Sequence, residues 1–159
     1  FRLHQGGVAF ARRQALPRWE PTMTAAGLSV LLQRVRDPDN VGSIMRSARA
    51  LGVRTVLIGP ECADPFYRKA IRTSMGAVFT LTVATAEPWP EVLTLIGEAG
   101  ALRVAATPAP AAASIEAVAG RAGSRPVLLL VGSEGEGLTP QTRQAADVEA
   151  RIPMASDVD

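Results

Sequence analysis

The stretch LSVLLQRVRDPDNVGSIMRSARALGVRTVLI (28–58) decides the fold class. It begins with an apolar run, passes through Asp-Pro-Asp-Asn, continues with a helical pattern over 41–51 and ends in a second apolar run at 54–58. A strand, a helix and a strand in this order form a right-handed crossover between parallel strands. The near-continuous apolar character of the first strand also indicates a parallel sheet that is covered on both faces.

The same alternation continues through the rest of the chain. Short segments rich in Val, Ile and Leu predict strands at 28–35, 54–58, 78–83, 102–106, 127–131 and 148–152. Helical patterns predict helices at 41–51, 64–74, 89–99 and 139–146. The Pro- and Ala-rich stretch TPAPAAAS (107–114) is predicted to be a loop. We therefore expect an α/β fold with a mostly parallel sheet and helices on both faces.

Composition limits the possible function classes. The chain has 159 residues, of which 47% are apolar and 20% charged, as expected for one folded domain. Its longest uncharged apolar runs are about seven residues, and no basic-then-apolar leader opens it, so we expect neither a membrane span nor a secretory signal. The chain has one cysteine, Cys62, and one histidine, His4. We therefore expect neither a metal site nor thiol chemistry.

Charge is distributed unevenly along the chain. Residues 1–72 hold 12 basic and 5 acidic side chains, whereas residues 73–159 hold 5 basic and 10 acidic ones. Sixteen of the 17 basic residues are arginines, and guanidinium groups bind oxyanions bidentately. The basic half therefore favours phosphate recognition and a nucleic acid partner, although a general compositional preference for arginine gives the same counts.

The two ends of the chain differ from its middle. FRLHQGGVAFARR at the start is typical of a strand, and the Pro-punctuated ALPRWEPT is typical of a linker. A lone terminal strand needs a partner sheet, so we expect 1–24 to be the end of a preceding domain plus a linker. Residues 25–159 then form the main domain. RIPMASDVD (151–159) leaves a strand and stops in a loop, so we expect this domain to be incomplete at its carboxyl end.

The first segment that could carry chemistry is RDPDNVGSIMRSARALG (36–52). Asn40 is predicted to be the N-cap of the helix that follows it. Gly42, Arg46 and Arg49 fall on the side of this helix opposite the sheet. An arginine there, beside a glycine that permits close approach of a ligand, is placed to hold a phosphate or polarise a hydroxyl; a solvated helix face has the same pattern. The apolar residues predicted to pack on the sheet are Val41, Ile44, Met45, Ala48 and Leu51.

The second segment is VLLLVGSEGEGLTPQTR (127–143), in which a buried strand runs into a Gly-rich loop and a Thr-Pro pair opens a helix. A phosphate-binding loop of the GxxxxGK[ST] type needs a lysine where this chain has Leu138. Glu134 and Glu136 would also repel phosphate. Such a loop suits a cationic or a neutral, hydroxyl-rich ligand, a description that S-adenosylmethionine fits. A tight turn without a ligand is the alternative.

Two shorter segments complete the set. Ile152-Pro153-Met154 leaves a strand at the sheet edge where α/β proteins usually bind ligands. Thr107 directly follows the predicted strand 102–106, at the same edge. Each of these two signals is weak by itself.

Together and in this order, the segments resemble the SpoU/TrmH branch of the SPOUT RNA methyltransferases. Motif one of that family resembles DPDNVGSIMRSARALG, motif two LLLVGSEGEGL, and the start of motif three RIPM. YRKAIRTSMGAVF is similar to the family's segment between motifs one and two. HQGGVAFARR is similar to the closing strand of the small RNA-binding domain that precedes the catalytic domain in many members.

The resemblance implies transfer of a methyl group from S-adenosylmethionine to a ribose 2′-hydroxyl of tRNA or rRNA. It also implies a carboxyl-terminal trefoil knot and a homodimer with its active sites at the interface, and we expect a cytoplasmic protein. The family's third motif continues into Ser-Leu-Asn and a helix that closes the knot. Because this chain stops at Asp159, we expect the knot-closing segment to be absent and the chain as it stands to be inactive. A non-catalytic RNA-binding module on the same fold is the alternative.

The resemblance also implies roles for individual residues. The positions matched to catalysis are Arg46, Asn40 and Glu134. The positions matched to cofactor binding are Thr107, Gly132, Ile152 and Met154. RNA contacts are expected from Arg46, Arg49, Arg12 and Arg13. Since arginine stays protonated and is a poor base, we expect Arg46 to hold a phosphate and lower the pKa of the ribose hydroxyl, whose proton leaves to phosphate or water.

Overall fold

A computed structural model of the protein describes residues 12, 13 and 15–154. The strands are β1 Leu28–Leu32, β2 Thr55–Ile58, β3 Thr82–Thr85, β4 Leu102–Ala106, β5 Ala113–Ser114, β6 Val127–Val131 and β7 Val148–Arg151. The helices are α1 Pro38–Ala50, α2 Arg68–Thr73, α3 Glu91–Glu98, α4 Ile115–Ala122 and α5 Pro140–Ala145. Two short 3₁₀-helices span Pro21–Thr24 and Ala77–Thr80. All strand pairs are parallel, in the order β3-β2-β1-β6-β4-β7-β5.

Successive residues of the central strands point into two separate cores. Val30 and Leu32 of β1 belong to the core under α1, together with the buried Met45 of that helix. Leu31 points to the opposite face, where it belongs to the core under α3 together with Ile96. This burial of both sheet faces explains the near-continuous apolar strands. The predicted α/β class, with a parallel sheet and helices on both faces, is confirmed.

Two predicted strand boundaries were wrong. The first strand ends before Arg34, which has a φ of 60° and so cannot continue the extended pairing predicted to residue 35. The predicted strand 78–83 is instead the second 3₁₀-helix, preceded by Gly76 at a φ of 79°, and β3 follows it. Val78 is buried by this turn rather than by a strand, so its apolar character gave a misleading signal.

The amino-terminal cap of α1 also differs from the prediction. Asp37 is the N-cap, and its carboxylate accepts a hydrogen bond from the backbone N–H of Asp39 at 2.9 Å. Pro38 occupies the first turn, where a missing N–H is tolerated. Asn40 therefore lies inside the helix, and its side chain is available for other contacts.

One residue of the predicted apolar face of α1 is misplaced. Leu51 is 80% exposed, because the helix ends at Ala50 and the chain turns at Gly52 with a φ of 82°. The residues of this face that are buried as predicted are Val41, Met45 and Ala48.

Two elements near the end of the sheet were not predicted. β5 and α4 occupy part of the predicted loop 107–114 and the residues after it. Ser114 caps α4 by accepting a hydrogen bond from the N–H of Ala117 at 3.2 Å. Only Val118 and Ala122 of α4 are buried, which is too few apolar positions for a recognisable helical period.

The segment before β1 packs against the edge of β3. The N–H of Trp19 donates to the carbonyl of Thr85 at 2.9 Å, and the N–H of Thr85 donates to the carbonyl of Pro17 at 2.8 Å. Trp19 is buried, and its indole N–H donates to the hydroxyl of Thr24 at 3.1 Å. Most of the strand predicted in FRLHQGGVAFARR lies outside the described residues, and the division of the chain at residue 24 stays a prediction.

Candidate functional site

Three loops meet at the carboxyl ends of β4, β6 and β7. The first begins with Thr107, the second is the Gly-rich segment 132–138, and the third is the stretch 152–154. Together they line a cleft with a volume of about 590 Å³, which we call the first cleft. It opens at the sheet edge where open α/β sheets bind ligands.

The first cleft contains all four residues that the resemblance matched to cofactor binding. They are Thr107, Gly132, Ile152 and Met154. The apolar side chains that also line it are Ile115, Leu129, Val131 and Leu138. An apolar lining with a few polar groups is typical of a small-molecule site.

The compact shape of the Gly-rich loop depends on Gly132. A Cβ atom at this position would lie 2.2 Å from the carbonyl carbon of Gly137 and 2.3 Å from the amide nitrogen of Leu138. The N–H of Gly137 donates to the carbonyl of Ser133 at 3.0 Å, and the N–H of Glu136 donates to the Ser133 hydroxyl at 3.3 Å. The loop thus folds tightly on itself and presents the bare backbone of Gly132 to the cleft.

A second cleft, of about 390 Å³, lies on the other side of the Gly-rich loop. It shares residues 133–136 with the first cleft, and its other walls are residues 34–37 and Asn40. The side-chain amide of Asn40 donates to a carboxylate oxygen of Glu134 at 3.3 Å. The Gly-rich loop therefore separates the two clefts. Asn40 and Glu134, two of the three residues matched to catalysis, are in contact at this loop.

Two arginines in the second cleft are neutralised by carboxylates. Arg34 forms ion pairs with Glu136 and, at 3.7 Å, with Glu61. Arg36 also pairs with Glu61, and its hydrogen bond lowers the pKa of that carboxyl below the ordinary value. Sequence reasoning missed both arginines, because it assigned residues 28–35 to a strand and gave Arg36 no role. The pairing leaves little free positive charge in this cleft.

Gln33 fastens the far end of the Gly-rich loop to the end of β1. Its side-chain carbonyl accepts a hydrogen bond from the N–H of Thr139 at 3.1 Å, and its amide donates to the Thr139 hydroxyl at 3.2 Å. Thr139 also caps α5, as predicted, by accepting from the N–H of Thr142 at 3.3 Å. Gln33 is buried, and nothing in its sequence neighbourhood signals this role.

Arg46 lines neither cleft of its own chain. Gly42, Arg46 and Arg49 form one stripe along α1, at spacings of one and two helical turns. A Cβ on Gly42 would lie 2.6 Å from the carbonyl oxygen of Ala70 in α2, and Nε of Arg49 donates to the Thr80 hydroxyl at 3.1 Å. Arg46 lies between these contacts. The interpretation of Gly42 as a place of ligand approach was wrong, because α2 occupies that space.

The two arginines predicted at the amino-terminal end line neither cleft. Arg12 and Arg13 are exposed, and Arg13 forms an ion pair with Asp64, which precedes α2. Their role in RNA binding stays a prediction.

Two observations on residues 12, 13 and 15–154 concern metal ligands and the thiol. In that part of the chain, no group of three or more His, Cys, Asp or Glu side chains is placed to hold a metal ion. Burial raises the pKa of the Cys62 thiol, so this thiol stays protonated at neutral pH. The helices described there are also too short or too polar to span a bilayer.

Known proteins provide a comparison for this sequence and its fold. The sequence profile of the SpoU rRNA Methylase family matches residues 27–159. The chain belongs to the SpoU rRNA Methylase family. An uncharacterized tRNA/rRNA methyltransferase of Mycobacterium bovis is 40% identical over 160 residues, which cover the whole chain and 55% of that protein. The 23S rRNA (uridine(2479)-2'-O)-methyltransferase of Streptomyces viridochromogenes is 35% identical over 132 residues, covering 80% of this chain and 45% of that protein.

Solved structures of SpoU-type enzymes share the fold. An rRNA methyltransferase from Sinorhizobium meliloti with bound AdoMet has a TM-score of 0.75 and 34% identity, covering 89% of this chain and 54% of the other. The SpoU methyltransferase AviRb from Streptomyces viridochromogenes, in complex with AdoMet, has a TM-score of 0.74 and 29% identity, covering 85% and 54%. The chain therefore spans about half the length of the SpoU relatives it matches.

Proposed function

We propose that the protein carrying this chain transfers a methyl group from S-adenosylmethionine to a ribose 2′-hydroxyl of tRNA or rRNA. The observation that carries the proposal is the first cleft, whose walls come from three loops distant in sequence. Membership of the SpoU rRNA Methylase family supports an RNA substrate. We also propose that the protein acts in the cytoplasm. The Streptomyces viridochromogenes relative, named as a 2′-O-methyltransferase of 23S rRNA, supports the ribose as the methylated group.

The residues of the first cleft fit S-adenosylmethionine. Its volume of about 590 Å³ suits a small-molecule cofactor, and its apolar walls suit the adenine ring and the carbon chain. Gly132 lines this cleft without a side chain, and the carboxylate of Glu134, whose partner in the described residues is the neutral amide of Asn40, suits a cationic sulfur. When bound, the cofactor supplies a methyl group activated by a positively charged sulfur. The residues proposed to hold it are Thr107, Gly132, Ile152 and Met154.

Asn40 and Glu134 are proposed to orient the ribose where the two clefts adjoin. Their hydrogen bond of 3.3 Å is long, so a ribose hydroxyl can replace it with shorter bonds to both side chains. Arg46 is proposed to hold the neighbouring phosphate and to stabilise the negative charge that develops on the hydroxyl oxygen. In the described residues, neither cleft is lined by His or Cys, so the proton would leave to phosphate or water.

The homodimer is part of the same proposal. Because Arg46 lines neither cleft of its own chain, an Arg46 from a second copy would complete the site. In a two-fold dimer, each copy would then supply this arginine to the other.

A trefoil knot is likewise proposed. β7 lies between β4 and β5, and these two strands are joined by the loop 107–112. The residues that follow β7 line the same cleft as the start of this loop, and this proximity supports the proposed threading.

Titration calorimetry of the full protein with S-adenosylmethionine tests the function. We expect saturable binding with a Kd of about 1–100 μM. Mass mapping of ribose methyls in RNA from cells with and without the gene is then expected to show the loss of one 2′-O-methyl group. RNA binding without cofactor binding would overturn the proposal and identify a non-catalytic RNA-binding module.

A further inference from the structure

Large apolar side chains are exposed along the segment that contains α2 and the 3₁₀-helix after it. Tyr67, Met75 and Phe79 are 56%, 76% and 66% exposed. The ring of Phe79 lies 6.0 Å from the ring of Phe66, centroid to centroid, so the protein supports one part of it while most of it faces solvent. Apolar exposure concentrated in one segment is typical of an interaction surface.

Arginines surround these side chains. Arg68 and Arg72 lie one turn apart on α2, Arg49 donates to the residue after Phe79, and Arg46 precedes Arg49 by one turn of α1. In the described part of the chain, Arg46, Arg68 and Arg72 form no ion pair with a carboxylate within 4.0 Å. The arginines that do form such pairs are Arg13, Arg18, Arg34, Arg36, Arg103 and Arg143. The carboxyl of Asp39, which pairs with Lys69, is close enough to Arg72 for this arginine to help lower its pKa.

We name the surface formed by Tyr67, Arg68, Arg72, Met75 and Phe79 the α2 face. Free guanidinium groups beside exposed rings have the chemistry of a single-stranded nucleic acid site, in which the cations contact phosphates and the rings stack on bases. We propose that the α2 face binds the nucleotides next to the methylated one in single-stranded form, with a base stacked on Phe79. This inference rests on the proposed function, because Arg46 at its border is assigned to the phosphate beside the target ribose.

The exposed apolar side chains of the α2 face could instead form an interface with a second copy of this chain. A two-fold interface centred on the α2 face would bring Arg68 and Arg72 against the same arginines of the other copy. Like charges brought together in an interface oppose association, whereas a polyanion complements them. The charge of this face therefore favours RNA.

The test is the affinity of the full protein for a mixed-sequence single-stranded RNA of about 20 nucleotides, measured by fluorescence anisotropy. We expect Phe79→Ala to weaken binding about ten-fold and Phe79→Tyr, which keeps the ring, to restore it. Arg72→Gln is expected to lower the slope of log affinity against log salt by about one. Matched controls on other elements are Leu95→Ala on α3 and Arg121→Gln on α4, which are expected to bind like the wild type.

Calorimetry with S-adenosylmethionine and sedimentation velocity complete the experiment for every variant. If Phe79→Ala binds RNA as the wild type does and also binds the cofactor normally, the proposal that the α2 face binds RNA is overturned, while the proposed methyltransferase function stands. A shift from dimer to monomer in Phe79→Ala identifies a protein interface and also overturns it. If the wild type binds no cofactor, the proposed function fails, and an RNA affinity that still depends on Phe79 supports the α2 face by itself.

Discussion

At the scale of single residues, the tightest constraint in the candidate site is at Gly132. Its backbone conformation is open to any residue, so the constraint is contact alone: the atoms that a Cβ would meet belong to the backbone of Gly137 and Leu138. Backbone atoms cannot move away by changing a rotamer. The Gly-rich loop would have to open, and the wall of the first cleft would move with it.

We therefore expect Gly132→Ala to lower the free energy of unfolding by about 1–3 kcal/mol and to weaken binding of S-adenosylmethionine at least about ten-fold. Gly120→Ala is the matched control for cofactor binding, because a Cβ on Gly120 meets no atom within 4 Å, its φ is not positive and it lines neither cleft. Urea unfolding and calorimetry check both effects. Equal cofactor affinity in the two variants would contradict the role given to Gly132.

At the scale of elements, the contact between α1 and α2 depends on Gly42. A Cβ there would lie 2.6 Å from the carbonyl oxygen of Ala70 and 2.8 Å from Cβ of Thr73. These two helices support the residues proposed to contact RNA, so their separation matters for function as well as for stability.

We expect Gly42→Ala to destabilise the protein by about 1–3 kcal/mol, because α2 has to move away. Gly120→Ala in α4 is expected to stabilise it by about 0.5–1 kcal/mol, because a Cβ there meets no atom within 4 Å and alanine loses less backbone entropy. Chemical unfolding of both variants measures whether each substitution lowers or raises the free energy of unfolding. A stabilising effect of Gly42→Ala would contradict the close packing of these helices.

A second element-scale contact joins β4 to the residue before β7. Asp147 accepts hydrogen bonds from the backbone N–H of Arg103 at 2.7 Å and from its guanidinium at 2.7 and 3.1 Å. The hydrogen bonds from Arg103 lower the pKa of Asp147 below its ordinary value. Because the folded pKa lies below the unfolded one, this contribution to stability is complete at neutral pH and is lost as the pH falls through the folded pKa.

Asp147→Asn is expected to lower the free energy of unfolding at neutral pH by about 1 kcal/mol. Below about pH 4, where the unfolded carboxyl of the wild type becomes protonated, the difference between the two proteins is expected to shrink. Urea unfolding at a series of pH values measures this convergence. A difference that stays constant from neutral to acid pH would show that the carboxylate charge contributes nothing.

At the scale of the whole molecule, the proposed homodimer raises the question of which copy would supply Arg46 to each site. A dimer with one Arg46→Ala chain and one Gly132→Ala chain separates the possibilities, because the first chain keeps an intact first cleft and the second keeps the arginine. We expect such a mixed dimer, isolated with two affinity tags and assayed at a cofactor concentration well below the Kd, to show about half of the wild-type methyl transfer, and each uniform dimer to show about a tenth of it or less. An inactive mixed dimer would place Arg46 in the site of its own chain.

Much of the fold was predictable because its signals are local. Apolar runs of four or five residues and a helical period are read within one segment, as is the Thr139 cap. The sequence predictions were wrong where one local pattern is compatible with two structures. Asn40 and Asp37 are both good caps, and the proline after Asp37 favoured the earlier start. Val78 is equally apolar in a strand and in a buried turn.

The sequence by itself determined the α/β class, the loops at the carboxyl edge and the family, since each depends on residues that are neighbours in the chain. Only the tertiary structure decided that Asn40 meets Glu134, 94 residues away, and that Arg46 lines neither cleft. The physical reason is strand order: β1 pairs with β6, so the loops that follow these two strands lie side by side. Local propensities act over a few residues and carry no information about which strands become neighbours.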